Sequence, residues 1–348
     1  MAPTQPDLKP APAIGSGMAG LRAWVLTDGK AGDEAQCLGV AEALGLEAEI
    51  RKVAPRPPWV WLMPWGPVDP RERPGRPASP ISPPFPDLVI ASGRRAVPYL
   101  REIRRRSGGR SYTVFLKDPR TGPGTADLIW APSYDRIRGP NVLTTLTSPH
   151  RLSADRLERA RRAPDPRLSG LPSPRVAVLV GGDSRHGSFS EEDGRGLLAG
   201  LRSVAADGAS LMITASRRTP PTLRAALPAL AAETGGFFWA GEGENPLVAM
   251  LALADAIVVT ADSANMLSEA LGTGAPVLVF EPAAWRGRLS RLMAELKSRG
   301  LVKSFSGKLE LFNYEKLDST PVIAQAVARG IAAHRAARAR GSGRSGGL

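Results

Sequence analysis

The sequence predicts an α/β protein of two facing Rossmann-like domains, each built on a parallel sheet, with a central cleft between them. Three observations predict it. The 348 residues exceed a typical single core. Short apolar runs alternate with amphipathic helical periods along most of the chain. The runs are continuous rather than alternating, as strands covered by helices on both faces must be. At 43% hydrophobic and 23% charged residues, the chain can fill two cores.

In chain order, residues 1–20 are rich in Pro, Ala and Gly and read as a disordered leader, without the basic start and apolar run of a signal peptide. The first domain, 21–163, opens with a strand from Arg22 to Leu26, the turn Thr27-Asp28-Gly29-Lys30, and a helix from Asp33 to Leu44. Leu38, Ala41 and Leu44 share one stripe of that helix, and Asp33 and Glu34 favour its first turn. A strand from Ala48 to Val53 follows. The stretch 54–86 holds 12 of the chain's 33 prolines around Trp59, Trp61 and Trp65, so it reads as an irregular insertion. Strands at 87–91, 111–116, 128–131 and 142–144 and a basic helix at 96–106 complete the domain. An Arg-rich, Pro-punctuated stretch at 153–174 carries one linking helix and sets the boundary near Ala163. The second domain, 164–320, alternates strands at 176–180, 210–214, 236–239, 256–259 and 276–280 with helices at 190–206, 222–233, 246–253 and 265–271. A basic helix at 321–340 and a disordered Gly/Ser tail at 341–348 end the chain.

The formal charge of +13 favours anionic partners such as nucleotide phosphates or acidic lipid. Only 8 of the 46 basic residues are lysine, which reads as arginine scattered over a surface. No aromatic-spaced basic motif or helix-turn-helix pattern suggests nucleic acid as a partner. Cys37, the single cysteine, falls on the apolar side of its helix as a small filler, and with three histidines in the chain no metal site is indicated. No apolar run approaches the roughly 18 residues of a membrane span, so the expected location is cytoplasmic.

In open α/β sheets ligands sit beyond the carboxyl ends of the strands, and four loops there carry candidate chemistry. The first, Thr260-Ala261-Asp262-Ser263-Ala264-Asn265, enters a helix on which Glu269 lies. Hydroxyls and amides at such a helix start suit a phosphate, and Glu269 suits the two hydroxyls of a ribose; the bland alternative is a helix cap and a solvated charge. The second, Gly181-Gly182-Asp183-Ser184-Arg185-His186, offers close backbone approach, a guanidinium and an acid in His186, or merely a turn. The third, Thr27 to Asp33, lacks Walker spacing, and its Asp28 and Asp33 are candidate general bases or turn residues. The fourth, Ser216-Arg217-Arg218-Thr219-Pro220, could clamp a diphosphate or hold solvated arginines.

Six blocks carry a family resemblance: Thr27-Asp28-Gly29-Lys30-Ala31-Gly32 with Gln36-Cys37-Leu38-Gly39, Ser92-Gly93-Arg94-Arg95, Asp118-Pro119-Arg120, Ser216 to Pro220, Gly243-Glu244-Asn245-Pro246, and Val259 to Ser263. Together, over roughly Leu21 to Gly330, the chain resembles the mitochondrial-fission Elm-type family. That family looks like the GT-B glycosyltransferases in fold, and Ser268-Glu269-Ala270 through Gly274, Pro276 and Pro282 is similar to the donor site of enzymes that add N-acetylglucosamine to lipid-linked peptidoglycan precursors. By this resemblance Glu269 holds the donor ribose, and Ser263 and Asn265 lie near its phosphates. The N-terminal loop departs from those enzymes, whose glycine-rich loop ends in histidine.

The resulting expectation is a metal-independent glycosyltransferase without a cofactor that takes a nucleotide-sugar, a UDP-sugar by preference, onto Gly181, Gly182, Ser184, Arg185, Ser216, Arg217, Arg218, Asn245, Thr260, Asp262, Ser263, Asn265 and Glu269, with Asp28, Asp33 and His186 as catalytic candidates. The alternatives are a sugar-nucleotide epimerase or a non-catalytic adaptor of the mitochondrial-fission type. Such an adaptor would lie on the inner face of an anionic membrane through Trp59, Trp61, Leu62, Met63 and Trp65, with Arg56, Arg71 and Arg73 meeting head groups.

Overall fold

The computed structural model describes residues 18–342 apart from 78, 185, 186 and 286. They form two units. The first runs to Thr145 and takes in Pro149–Arg151 and the chain from Ser319 on; the second comprises Leu146–Ser148 and Leu152–Asp318.

In the first unit the elements are β1 (Ala23–Thr27), α1 (Ala31–Ala43), β2 (Ala48–Lys52), β3 (Leu88–Ser92), α2 (Val97–Arg106), β4 (Tyr112–Leu116), β5 (Leu128–Pro132) and β6 (Val142–Thr145). The strands form one six-stranded parallel sheet in the order β2-β1-β3-β4-β5-β6. β1 is buried along its length, and its period-two alternation feeds two cores. Val25 joins Cys37 and Val40 of α1 and its C-cap Leu44 on one face, while Trp24 and Leu26 join Tyr99, Leu100 and Ile103 of α2 on the other. Cys37 is fully buried, and burial raises its thiol pKa, as suits a filler rather than a nucleophile.

The insertion is irregular, with two 3-10 turns at Trp59–Leu62 and Pro70–Glu72. Val53, Met63, Val68 and Ile81 pack into the α2-side core, and Trp59 packs against it. Asp69, fully buried, pins the segment by accepting from the backbone N–H and guanidinium of Arg56 and from the N–H of Arg71.

The second unit contains α3 (Ala154–Arg162), α4 (Pro166–Ser169), β7 (Arg175–Val180), α5 (Glu191–Ala206), β8 (Ser210–Ala215), α6 (Pro221–Glu233), β9 (Phe237–Trp239), α7 (Leu247–Leu253), β10 (Ala256–Thr260), α8 (Ala264–Leu271), β11 (Val277–Phe280), α9 (Arg288–Ser298) and β12 (Lys303–Ser304). Its six-stranded sheet, also parallel, runs β12-β11-β10-β7-β8-β9. Leu197, Leu201 and Val204 of α5 and Leu223, Leu227 and Leu230 of α6 cover Val176, Val178, Ile213 and Val258. The structure is therefore two Rossmann-like α/β units with parallel sheets.

Four features differ from the sequence reading. The boundary expected near Ala163 falls inside the second unit, because α3 packs on α7 and the Arg161 guanidinium donates to Ala252 O at 3.0 Å. The basic helix after Ser319, α10 (Thr320–Ser342), is part of the first unit. Its Ile323, Val327 and Ile331 enter the core beside Val25 and Leu116, on the order of 5 kcal/mol of apolar burial. A side chain at Gly330 would strike the Tyr112 hydroxyl, and His334 meets the Tyr112 ring edge-on. α9 and the two-residue β12 had no expected counterpart. The leader is ordered by Met18, which is buried in the first core, and the final helix continues to Ser342; the remaining leader and tail residues lie outside the described ones. Among the described residues no helix is long and apolar enough to cross a membrane.

Candidate functional site

Parallel strands gather the loops after β7, β8 and β10 at one edge of the second sheet, at the point where the strand order reverses between β7 and β10. The knot there is Asp262, whose side chain is fully buried. Its Oδ2 accepts from the Gly182 N–H at 2.9 Å and from an Arg218 guanidinium nitrogen at 2.7 Å, and its Oδ1 accepts from the Thr260 hydroxyl at 2.5 Å. Thr260 Oγ1 in turn accepts from the Gly181 N–H at 2.7 Å. Arg218 also donates to the carbonyls of Gly182 and Asp183 at 3.1 and 2.9 Å, and the Thr219 hydroxyl donates to Gly181 O at 2.5 Å.

This closure explains the glycine pair differently from the sequence reading. A Cβ at Gly181 would overlap the Asp262 carboxylate, and one at Gly182 would overlap the Arg218 carbonyl. The glycines let three loops of the protein approach one another, and both their N–H groups are engaged before any phosphate arrives. The expected two-arginine clamp changes in the same way. Arg218 is committed to the loops, whereas Arg217 is exposed with no side-chain partner among the described residues. Ser216 Oγ accepts from the Arg218 N–H at 3.1 Å, a turn bond. Ser184 exchanges backbone hydrogen bonds with Gly187. Arg185 and His186 lie outside the described residues.

Ser263 is the N-cap of α8, its Oγ accepting from the Met266 N–H at 3.4 Å, and Asn265 follows in the first turn, partly exposed. Glu269 is half-buried on the same helix, with no side-chain hydrogen bond or ion pair among the described residues. Burial pushes its carboxyl up to about 7. Asn245 stands apart from this network: its Oδ1 accepts from the Leu247 N–H at 3.0 Å, and it lines a groove of about 630 Å³ with Arg159, Arg167 and Glu244.

Sequence reasoning missed Asp193. It forms the capping box of α5 with Ser190 and also accepts from the Ala283 N–H at 2.9 Å, binding the start of α5 to the loop after β11. Burial raises its pKa, but the Ala283 and Ser190 hydrogen bonds outweigh this and leave it lowered. The Ser-x-x-Asp spacing was the available signal.

The corresponding edge of the first sheet holds Asp28 and Asp33. Asp28 follows β1 with its side chain 1% exposed; Oδ2 accepts from Lys30 Nζ at 3.0 Å, and buried Oδ1 has no partner among the described residues. Asp33, in the first turn of α1, pairs with Lys117 at the end of β4. Lys117 has φ +81°, a strained backbone for a side-chain-bearing residue. Neither aspartate caps α1, whose N-cap is Lys30 without a side-chain bond.

Three comparisons bear on these edges. The family described as Mitochondrial fission ELM1 matches residues 31–331. The Mitochondrial fission protein ELM1 of Arabidopsis thaliana is 28% identical over 275 residues, 71% of this chain and 64% of that protein. The uncharacterized protein RP120 of Rickettsia prowazekii (strain Madrid E) is 26% identical over 160 residues, 44% of this chain and 45% of its own. The chain thus spans less than two thirds of either relative. Among solved structures, UDP-N-acetylglucosamine 2-epimerase from Rickettsia bellii aligns at TM-score 0.46 and 11% identity, covering 91% of this chain and 96% of its own. MurG from Acinetobacter baumannii aligns at TM-score 0.42 and 13% identity, covering 90% and 94%. At these scores the fold assignment rests on this chain's own strand order.

Proposed function

The chain belongs to the mitochondrial fission ELM1 family, and we propose that within it this protein is a GT-B-like glycosyltransferase whose second unit binds a nucleotide-sugar, a UDP-sugar by preference. The observation that carries this reading is Glu269. A half-buried carboxylate without a partner is costly, and two ribose hydroxyls would supply the donors it lacks. Ser263 at the start of α8 and Arg217 on the neighbouring loop suit the diphosphate, through helix dipole and charge. In the transfer, the acceptor oxygen bonds to the anomeric carbon while the bond from that carbon to the diphosphate oxygen breaks. The nucleoside diphosphate leaves with the electron pair, and the acceptor proton passes to a general base, for which Asp28, with one oxygen unpaired beside its Lys30 ion pair, is preferred to Asp33.

Calorimetry with UDP, GDP, ADP and their common sugar conjugates, at moderate salt so that the +13 charge does not mimic specificity, tests the reading. Micromolar binding of one nucleotide that collapses in Glu269→Ala supports it, and no binding of any nucleotide overturns it. Interconversion of a sugar-nucleotide without an acceptor would replace transfer by epimerisation.

A second reading, peripheral membrane binding, is favoured by the insertion. Trp61, Leu62 and Trp65 are 75%, 47% and 67% exposed, whereas Trp59 packs against the core, Met63 is buried and Arg56 is tied to Asp69, so these three leave the expected membrane surface. Beside the exposed aromatics, Gly66 and Pro67 border a groove of about 390 Å³ with Arg73, Arg101 and Arg105. Amphipathic tryptophans flanked by arginine suit an anionic bilayer. Cosedimentation with phosphatidylcholine vesicles, with and without phosphatidylglycerol, should show binding to the anionic vesicles that is lost in Trp61→Ser/Trp65→Ser; equal sedimentation of that variant excludes this surface.

A further inference from the structure

The first sheet also reverses its strand order, between β1 and β3, and at such a reversal point open α/β sheets bind ligands in a crevice beyond the carboxyl ends of the strands. Asp28 stands at that point. Its carboxylate lies against Gly93, the residue after β3, where a Cβ would come within 3.0 Å of Oδ1 and where φ is +91°. Gly93 is thus the residue type that lets the β3 loop pass over the carboxylate. Of the two carboxylate oxygens only Oδ2 is paired, to Lys30, whose own side chain is 65% exposed and free to swing away. The second unit differs at its reversal point, where both oxygens of Asp262 are engaged.

Two arginines follow Gly93. Arg94 is exposed and Arg95 half-buried, and neither has a side-chain partner among the described residues, whereas Arg104, Arg105 and Arg106 of α2 are paired with carboxylates. Immediately after them α2 starts without a capping side chain, with Pro98 in its first turn. Unpaired guanidiniums at an uncapped helix start favour a phosphate. An open oxygen on a buried carboxylate favours a hydroxyl donor.

We propose that this crevice binds a phosphate ester that also carries a hydroxyl, the phosphate on Arg94 and Arg95 and the hydroxyl donating to Asp28 Oδ1 once Lys30 withdraws. The inference deepens the transferase reading, on which it rests only for the ligand's role as sugar acceptor; the binding itself does not depend on the second unit.

Titration of the full chain with glycerol 1-phosphate, methyl phosphate and sulfate tests it. Glycerol 1-phosphate should bind about tenfold more tightly than methyl phosphate, one charge-assisted hydrogen bond's worth, and sulfate no better than methyl phosphate. Arg94→Ala/Arg95→Ala should weaken both phosphates at least about tenfold while leaving affinity for UDP unchanged. Asp28→Asn should keep methyl phosphate binding and lose the preference for glycerol 1-phosphate, and an unchanged thermal melt would show that the variant folds. Vesicles containing phosphatidylglycerol, presented to the Trp61→Ser/Trp65→Ser variant, distinguish a lipid head group from a soluble ester: binding that depends on Arg94 and Arg95 assigns the lipid. Equal affinity of the wild-type chain for glycerol 1-phosphate and methyl phosphate, or phosphate binding indifferent to Arg94 and Arg95, overturns the proposal. Loss of UDP binding alone would overturn the transferase reading and leave this site standing.

Discussion

Arg218 and Asp262, 44 residues apart, meet at 2.7 Å across the carboxyl edge of the second sheet, and the Gly182 N–H completes the contact from a third loop. The carboxylate is fully buried while the guanidinium is partly exposed, so the loss of either partner has unequal consequences. Asp262→Ala strands the Gly182 N–H, the Thr260 hydroxyl and a cation, and should cost about 3 kcal/mol. Arg218→Ala leaves the carboxylate its Thr260 and Gly182 donors and water access from the vacated side, and should cost about 1–2 kcal/mol. Urea denaturation of the intact chain measures both, and equal losses would contradict the asymmetry.

The glycine pair gives a second comparison. Gly182→Ala drives a methyl group into the Arg218 backbone carbonyl, which cannot move without shifting the whole β8 loop, whereas Gly181→Ala meets the Asp262 side chain. Both variants should be destabilised by about 1–3 kcal/mol, the usual range for overpacking. If the glycines served phosphate approach alone, their alanine variants would lose nucleotide affinity with unchanged melting temperature, and thermal melts beside calorimetry distinguish the two.

Glu269 makes nucleotide binding depend on pH in a defined direction. Burial raises its folded pKa to about 7 from the ordinary 4.5, so the folded protein holds a proton that the unfolded chain has released. The unliganded protein should therefore lose stability as pH rises from 4.5 to 7, and Glu269→Gln should flatten that slope. Ribose hydroxyls need the ionised carboxylate as acceptor. Affinity should accordingly fall by up to about tenfold per pH unit below 7, and the Gln variant should bind weakly at every pH. Calorimetry from pH 5 to 8 checks both slopes.

The strands were legible because both sheets are parallel and covered on both faces, so β1, β7 and β10 read as unbroken apolar runs. β12, two exposed residues at an edge, buries nothing and leaves no pattern. The place of α10 was not legible. Its apolar stripe fits any sheet, and what assigns it to the first unit is Gly330 against Tyr112, a contact 218 residues distant in sequence. At the candidate site the loops were visible as polar runs after strands, but the division of labour within them was not. Asp262, just before α8, and Glu269, on it, are carboxylates of one short segment, and only burial and partners distinguish the saturated one from the unpaired one. Trp59 and Trp61, two residues apart in one turn, likewise divide into packed and exposed by the direction the turn imposes.

That turn depends on Asp69, which supplies the last prediction. The Arg56 guanidinium, ahead of the N–H groups of Arg71 and Arg56, holds the Asp69 carboxyl at about 2, below its ordinary 3.8. A depressed carboxyl contributes stability that is present above the unfolded value and lost as pH falls through the folded one. The gap in melting temperature between the wild-type chain and Asp69→Asn should thus be largest above pH 4 and close as the pH approaches 2. Asp69→Asn should also loosen the segment from Val53 to Ile81, which depends on this ion pair for its path over the α2-side core. Limited proteolysis at pH 7 should then cut within 56–77 in the variant and spare the wild-type chain. A melting-temperature gap that persists unchanged to pH 2 would assign the stabilisation to packing rather than to the carboxylate.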